Sequence, residues 1–139
     1  MPSKPLNLRK DTASTTTITV VWDLPSSTGY TAITDYEVWW DVGAEDSNFV
    51  VIGASTGNAL TFTTSTSLVA GNRYTFKIKA VNAVGESDYS DPITVIAGTI
   101  PGKALTPVKY SANKDLIEIR WDPPNDGGSV IKDYKVYWD

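Results

Sequence analysis

The 139-residue chain contains neither cysteine nor histidine. Without cysteine there is no disulfide and no thiolate nucleophile, so a small domain built from this sequence is held by packing alone. Without histidine, Ser-His-Asp and Cys-His catalysis are excluded, and so are ordinary zinc sites. No apolar run approaches the roughly 20 residues needed to span a bilayer. No basic-then-apolar leader precedes the first expected strand, so no signal peptide is expected. Basic residues are outnumbered, 12 Lys and Arg against 16 Asp and Glu, for a net charge of −4. Nucleic acid is therefore not an expected partner, because phosphate binding calls for clustered Lys and Arg. There is no Gly-rich phosphate loop ending in Lys-Ser/Thr, no Asn-x-Ser/Thr sequon and no Arg-Gly-Asp tripeptide. Cysteine-free β modules occur inside and outside cells, so the compartment is left open.

What is present is a repeat. Ala32-Ile33-Thr34-Asp35-Tyr36-Glu37-Val38-Trp39-Trp40-Asp41 returns as Val130-Ile131-Lys132-Asp133-Tyr134-Lys135-Val136-Tyr137-Trp138-Asp139. Upstream, Val20-Val21-Trp22-Asp23 with Pro25 returns as Ile119-Arg120-Trp121-Asp122 with Pro124. The offset is 99 residues from Trp22 to Trp121 and 98 from Tyr36 to Tyr134. A period this long makes each unit a small domain rather than a solenoid turn. Pro2, Lys4 and Leu6 align with Pro101, Lys103 and Leu105, across a joint at Gly98-Thr99-Ile100-Pro101-Gly102-Lys103. The expected organisation is a complete unit over 1–99 and the opening part of a second over 100–139.

Within the first unit the apolar pattern has period two. Ile18, Val20 and Trp22 share one face of a strand; Tyr36, Val38 and Trp40 share one face of the next. The opposite face of that second strand holds Glu37, Trp39 and Asp41. Tyr74, Phe76, Ile78 and Ala80 alternate with Thr75, Lys77, Lys79 and Val81. Further strands are expected near Leu6–Leu8, Phe49–Ile52, Leu60–Thr64 and Pro92–Ile96. No stretch carries a 3.6-residue apolar stripe. Seven short strands separated by turn signals predict an all-β, seven-stranded sandwich of immunoglobulin-like form, followed by an incomplete second copy. Trp22 on one sheet and Tyr36, Val38 and Tyr74 on the other are expected to meet in the core.

Several of these segments together resemble the fibronectin type III family. Trp22-Asp23-Leu24-Pro25 resembles its second-strand Trp-x-x-Pro, and Trp121-Asp122-Pro123-Pro124 is closer still. Tyr36-Glu37-Val38-Trp39-Trp40 resembles the third-strand Tyr-x-Val-x-aromatic. Leu68-Val69-Ala70-Gly71-Asn72-Arg73-Tyr74 resembles the tyrosine corner, with Ala70 where the family usually has Pro. Ala80-Val81-Asn82-Ala83-Val84-Gly85-Glu86-Ser87 is similar to the segment that opens the loop before the last strand. The pattern departs around Leu60–Ser67, where Thr and Ser blur the alternation. The resemblance makes Trp22, Tyr36, Val38, Leu68 and Tyr74 signature positions of the first unit, and Trp121, Tyr134 and Val136 those of the second.

Little in the chain reads as chemistry. Glu45-Asp46 and the pair Asp88 and Asp91 are the nearest thing to paired carboxylates, but all fall in polar loops where solvated charge is the simpler reading. Asp41, Glu45 and Asp46 around Gly43, and Asp126 before Gly127-Gly128, lack the spacing of a dedicated calcium loop. No catalytic residue, metal site or cofactor is expected. Outward-facing Trp39, echoed by Tyr137, is the candidate contact residue, since exposed Trp and Tyr are favoured interface anchors. The simpler alternative is that it packs across strands on the stems of Lys77 or Lys79.

Residues 100–139 supply only three of seven strands. Ile117, Ile119, Trp121, Tyr134, Val136 and Trp138 would lack a complete opposing face. Ordering them costs roughly 1–2 kcal/mol per residue in backbone entropy, and a piece of this size rarely folds unaided. On the sequence alone, the amides beyond about residue 100 are therefore expected to exchange freely, unless the tertiary structure gives individual ones a partner. A window onto a longer array is favoured over a partner that supplies strands by edge addition. The resemblance implies a non-catalytic structural or protein-interaction module, acting as spacer or scaffold toward neighbouring repeats or another chain, as in cell adhesion. It leaves two alternatives: an accessory module of a larger enzyme such as a polysaccharide-degrading protein, and a glycan-binding module acting through Trp39.

Overall fold

In the computed structural model, residues 1–43, 48–53, 55–64 and 66–139 are described. Strands β1 (Leu6–Ala13), β2 (Ile18–Asp23) and β5 (Thr61–Thr63) form one antiparallel sheet in the order β1-β2-β5. Strands β4 (Val50–Gly53), β3 (Ile33–Trp40), β6 (Arg73–Asn82) and β7 (Gly85–Glu86) form the second, and β8 (Ile93–Ile96) pairs with the other stretch of β6. All seven expected strands are present. The eighth, β7, is a two-residue bridge onto the end of β6.

The alternation in the sequence becomes the sandwich interior. Ile18, Val20 and Trp22 face inward from β2; Tyr36, Val38 and Trp40 face inward from β3; Tyr74, Phe76, Ile78 and Ala80 do so from β6. Trp22 meets Tyr36 edge to face at 5.5 Å and 64°, and Trp40 stacks on Tyr74 at 5.3 Å and 14°. Burying a large apolar side chain contributes roughly 1.5–3 kcal/mol, so these rings dominate the core. Two polar atoms inside it, Trp22 Nε1 and Tyr36 Oη, have no hydrogen-bond partner among the described residues. Burial accordingly pushes the Tyr36 phenol above its ordinary value. The Tyr74 hydroxyl, by contrast, accepts from the Val69 amide at 2.8 Å, which ties the corner to the start of β6.

The fifth strand keeps the two-residue period despite its threonines: Leu60 and Phe62 pack against the core and Thr64 is buried. Phe62 pairs with Val20 in register and lies across Gly53 of β4, where a Cβ would come within 2.6 Å of its ring. Another local feature lies beside β6. Between β7 and β8 the chain runs along β6 without a regular ladder, and buried Ser87 and Ser90 supply hydroxyls instead. Ser87 Oγ accepts from the Ala80 amide at 2.9 Å and Ser90 Oγ from the Ile78 amide at 3.0 Å. A hydroxyl oxygen can take the place of a strand carbonyl, so the β6 backbone stays satisfied where the neighbouring chain bends away.

Asp41 corrects the sequence reading. It was expected on the outer face of β3 in a solvated loop, yet it is 2% exposed. Past Trp40 the chain turns through positive φ at Val42 and Gly43, which swings the carboxylate back over the sheet end. There Asp41 Oδ1 accepts from the Gly43 and Thr75 amides, both at 3.0 Å. Glu45 and Asp46 lie outside the described residues.

Beyond the joint, β9 (Val108–Ala112) and β10 (Ile117–Arg120) form a two-stranded antiparallel sheet. Residues 130–139 enter no ladder. The segment that the repeat aligns with them, β3, is held by β6 on one side and β4 on the other. Trp121 and Tyr134 nevertheless meet edge to face at 5.5 Å and 66°, as Trp22 and Tyr36 do in the first unit.

Candidate interaction surface

The outer face of the five-stranded sheet is set by register. In the β3–β6 ladder Glu37 lies opposite Lys79 and Trp39 opposite Lys77. Since even positions of both strands face the core, these four face out and touch across the strands. The Trp39 indole N–H donates to Glu37 Oε2 at 3.1 Å, and its ring meets Tyr89 edge to face at 5.7 Å. Lys79 Nζ lies 5.5 Å from the centre of the Trp39 ring and 4.7 Å from that of Tyr89. Lys77 Nζ sits 3.6 Å above Phe49. Lys79 is also paired with Glu86 at 2.7 Å. That hydrogen bond holds the Lys79 ammonium above its ordinary value, against the opposing pull of partial burial.

Trp39 is therefore half-buried in an aromatic and lysine layer rather than projecting free. Cation–π contacts of this kind contribute about 0.5–1 kcal/mol each at exposed sites. Each ammonium is partly matched by carboxylate or ring, so the face is a mixed apolar and charge-balanced plate. Tyr137, which the sequence repeat aligns with Trp39, is 84% exposed. Among the remaining signature positions, Leu68 packs against the core of the first unit. Beyond residue 100, Trp121 is half-buried, while Tyr134 and Val136 are exposed. A groove of about 370 Å³ there is lined by Leu105, Ile119, Trp121, Tyr134 and Val136.

Tyr89 and Phe49 complete this surface and escaped the sequence reading. Ser87 and Ser90 face inward three residues apart, so the segment holding Tyr89 breaks the period-two signal that marks faces elsewhere. The remaining carboxylates do not converge: Asp91 pairs with Lys4 at 2.7 Å, Asp126 accepts from the Gly128 amide at 2.9 Å, and Asp88 is exposed. Among the described residues no three potential metal-ligating side chains come together. No helix among them is long and apolar enough to cross a membrane.

An all-β sandwich with this sheet order, a tyrosine corner and paired core aromatics defines an extended class of immunoglobulin-like modules. Comparison with known proteins narrows it. The family model for the fibronectin type III domain matches residues 3–96, and the chain belongs to that family. Human fibronectin type-III domain-containing protein 3A is 30% identical over 97% of the chain, which spans 11% of that protein. Fibronectin type III domain-containing protein 2 of Margaritifera margaritifera is 27% identical over 98% of the chain, 21% of its own length. Human receptor-type tyrosine-protein phosphatase F is 23% identical over 99% of the chain, 7% of its own length. Among solved structures, domains A168–A170 of titin superpose with a TM-score of 0.63 at 23% identity, over 70% of this chain and 32% of that one. The chain thus spans between 7% and 21% of these curated relatives, and the titin likeness concerns the fold alone.

Proposed function

We propose that the chain is a non-catalytic spacer and interaction unit from a longer array of fibronectin type III modules, with residues 1–99 forming one module and 100–139 opening the next. The observation that carries this reading is the second ring pair: Trp121 and Tyr134 adopt the spacing and angle of Trp22 and Tyr36. Support also comes from the relatives, whose alignments run through both units. Contacts with a neighbouring repeat or another chain would fall on the plate around Trp39 and on Tyr137. A second reading, an accessory module of a larger enzyme, is favoured by the receptor-type phosphatase among the relatives. The coding sequence on either side of this segment tests both. Further repeats alone support the spacer reading, an adjoining catalytic domain supports the accessory one, and flanks with neither overturn the array. Replacing Trp39→Ala separates a contact role from a packing role. Loss of binding to a captured protein partner with the fold intact supports contact; unchanged binding together with lower stability assigns Trp39 to packing. An unchanged glycan-array profile removes glycan binding through this residue.

A further inference from the structure

The two units share a second feature besides the ring pair. In the first, the loop that follows Trp22 grips the chain entering the unit. The Ser3 amide donates to the Ser27 carbonyl at 2.9 Å, and Ser3 Oγ accepts from the Ser27 amide at 3.0 Å. Gly29, at φ 68°, lies so close to the Met1 backbone that a Cβ would overlap the Met1 carbonyl oxygen. In the second unit the loop that follows Trp121 does the same to the joint. The Gly102 amide donates to the Asn125 carbonyl and the Thr99 amide to the Gly127 carbonyl, both at 2.8 Å. Gly127, at φ 70°, is buried against Thr99 and Ile100, and a Cβ there would overlap the Thr99 carbonyl oxygen.

The second loop also reaches past the joint to the first unit. A Cβ on Gly128 would lie 2.8 Å from Thr15 Cγ2 and 3.3 Å from Ala70 Cβ, and one on Gly71 would lie 2.7 Å from the Gly128 carbonyl. The pole of the first unit that receives the loop is thus lined by Thr15, Ala70 and Gly71. Gly71 is itself fixed to the end of β8 by its amide on the Ala97 carbonyl at 2.9 Å. Small side chains on both sides let backbone meet backbone.

The two loops are held differently. In the first unit Asn82 supports the loop from beneath, its side-chain amide donating to the Thr28 and Thr31 carbonyls at 2.7 and 3.3 Å. The second loop is braced by its own side chains instead: Asn125 Oδ1 accepts from the Gly127 amide at 2.8 Å and Asp126 Oδ1 from the Gly128 amide at 2.9 Å. Such side-chain turns set backbone geometry locally, so the shape of this loop is fixed from within the loop itself.

We infer that Asn125–Gly128 is a docking surface for the Thr15, Ala70 and Gly71 pole of the preceding module, and that it fixes the direction in which successive modules leave the joint at Gly98–Gly102. The inference rests on the array reading and makes the spacer an oriented one. Amide exchange in the full 139-residue chain tests it. The Thr99 and Gly102 amides are expected to exchange slowly. Gly127→Ala should speed both by about tenfold or more, a factor equal to about 1.4 kcal/mol, and leave Ser3 and the β6 amides unchanged. Ala70→Leu should do the same from the other side of the contact, since Ala70 is exposed and outside the core. Gly57→Ala is the control: Gly57 has φ 58° but nothing within 4 Å of a built Cβ, so it should move neither amide. Because the chain lacks cysteine, spin labels can also be placed at Thr61→Cys and Asp122→Cys, where a single narrow distance should broaden on adding Gly127→Ala. Free exchange of Thr99 and Gly102 in the unaltered chain, or indifference to both Gly127→Ala and Ala70→Leu, overturns the inference. The family assignment over residues 3–96 would stand in either case.

Discussion

Two tyrosines in one core offer the same chemical change with opposite expected signs. Tyr74 and Tyr36 are 2% and 1% exposed, and phenylalanine at either position keeps the ring contacts with Trp40 or Trp22. Only the hydroxyl is removed. At Tyr74 that hydroxyl accepts from the Val69 amide at 2.8 Å. Its loss should cost about 0.5–1.5 kcal/mol, the net worth of a typical hydrogen bond. At Tyr36 the hydroxyl is buried with no protein partner among the described residues. A buried unpaired polar group carries a penalty of roughly 1–3 kcal/mol. Its removal should recover much of that, less a small term for the vacated volume, for a net gain of about 1 kcal/mol. The two variants should therefore differ by about 2 kcal/mol in urea unfolding followed by tryptophan fluorescence. For a domain of this size about 1 kcal/mol corresponds to roughly 4–8 °C in Tm, so the two melting curves should separate clearly to either side of the parent. Tyr36→Phe destabilising as much as Tyr74→Phe would refute the argument, because it would mean that the Tyr36 hydroxyl is satisfied in the folded protein.

Three further expectations follow from the same geometry. Trp22→Ala should cost about 3–5 kcal/mol, a large share of the roughly 5–15 kcal/mol that holds such a domain; a loss below about 1 kcal/mol in the same urea assay would remove Trp22 from the centre of the core. Tyr36 and Lys79 both have folded-state values raised above the ordinary ones. The folded state then binds more protons than the unfolded state at high pH. Stability should be full below about pH 10 and fall as pH rises through the folded-state values; Tyr36→Phe and Glu86→Gln should each flatten that decline, and urea midpoints that hold constant up to about pH 11.5 would contradict it. The β9 and β10 amides should exchange far faster than those of β6, because an isolated two-stranded hairpin is marginal in water and nearly every residue of this one is exposed. Equal protection in the two regions of a purified monomer would show that the second unit is covered.

The sequence alone determined the strands and their faces, since a side chain in an extended chain alternates with a period of two whatever it packs against. Trp22, Tyr36, Val38 and Tyr74 were legible as core for that reason. Periodicity ended where the backbone left regular geometry. Asp41 reads as an outer-face carboxylate until positive φ at Val42 and Gly43 folds it under the sheet end. Ser87 and Ser90 read as loop residues until their hydroxyls stand in for a missing strand, and Tyr89 between them joins Trp39 only through that bend. Whether Trp39 stands free or packed depends on Tyr89, Lys79 and Glu37, which register and a distant segment bring together. The surroundings of Gly127 and Gly128 are likewise invisible as pattern: two glycines in a polar loop announce a turn, and only the tertiary structure places the Thr99 carbonyl, Thr15 and Ala70 in the space their side chains would have taken.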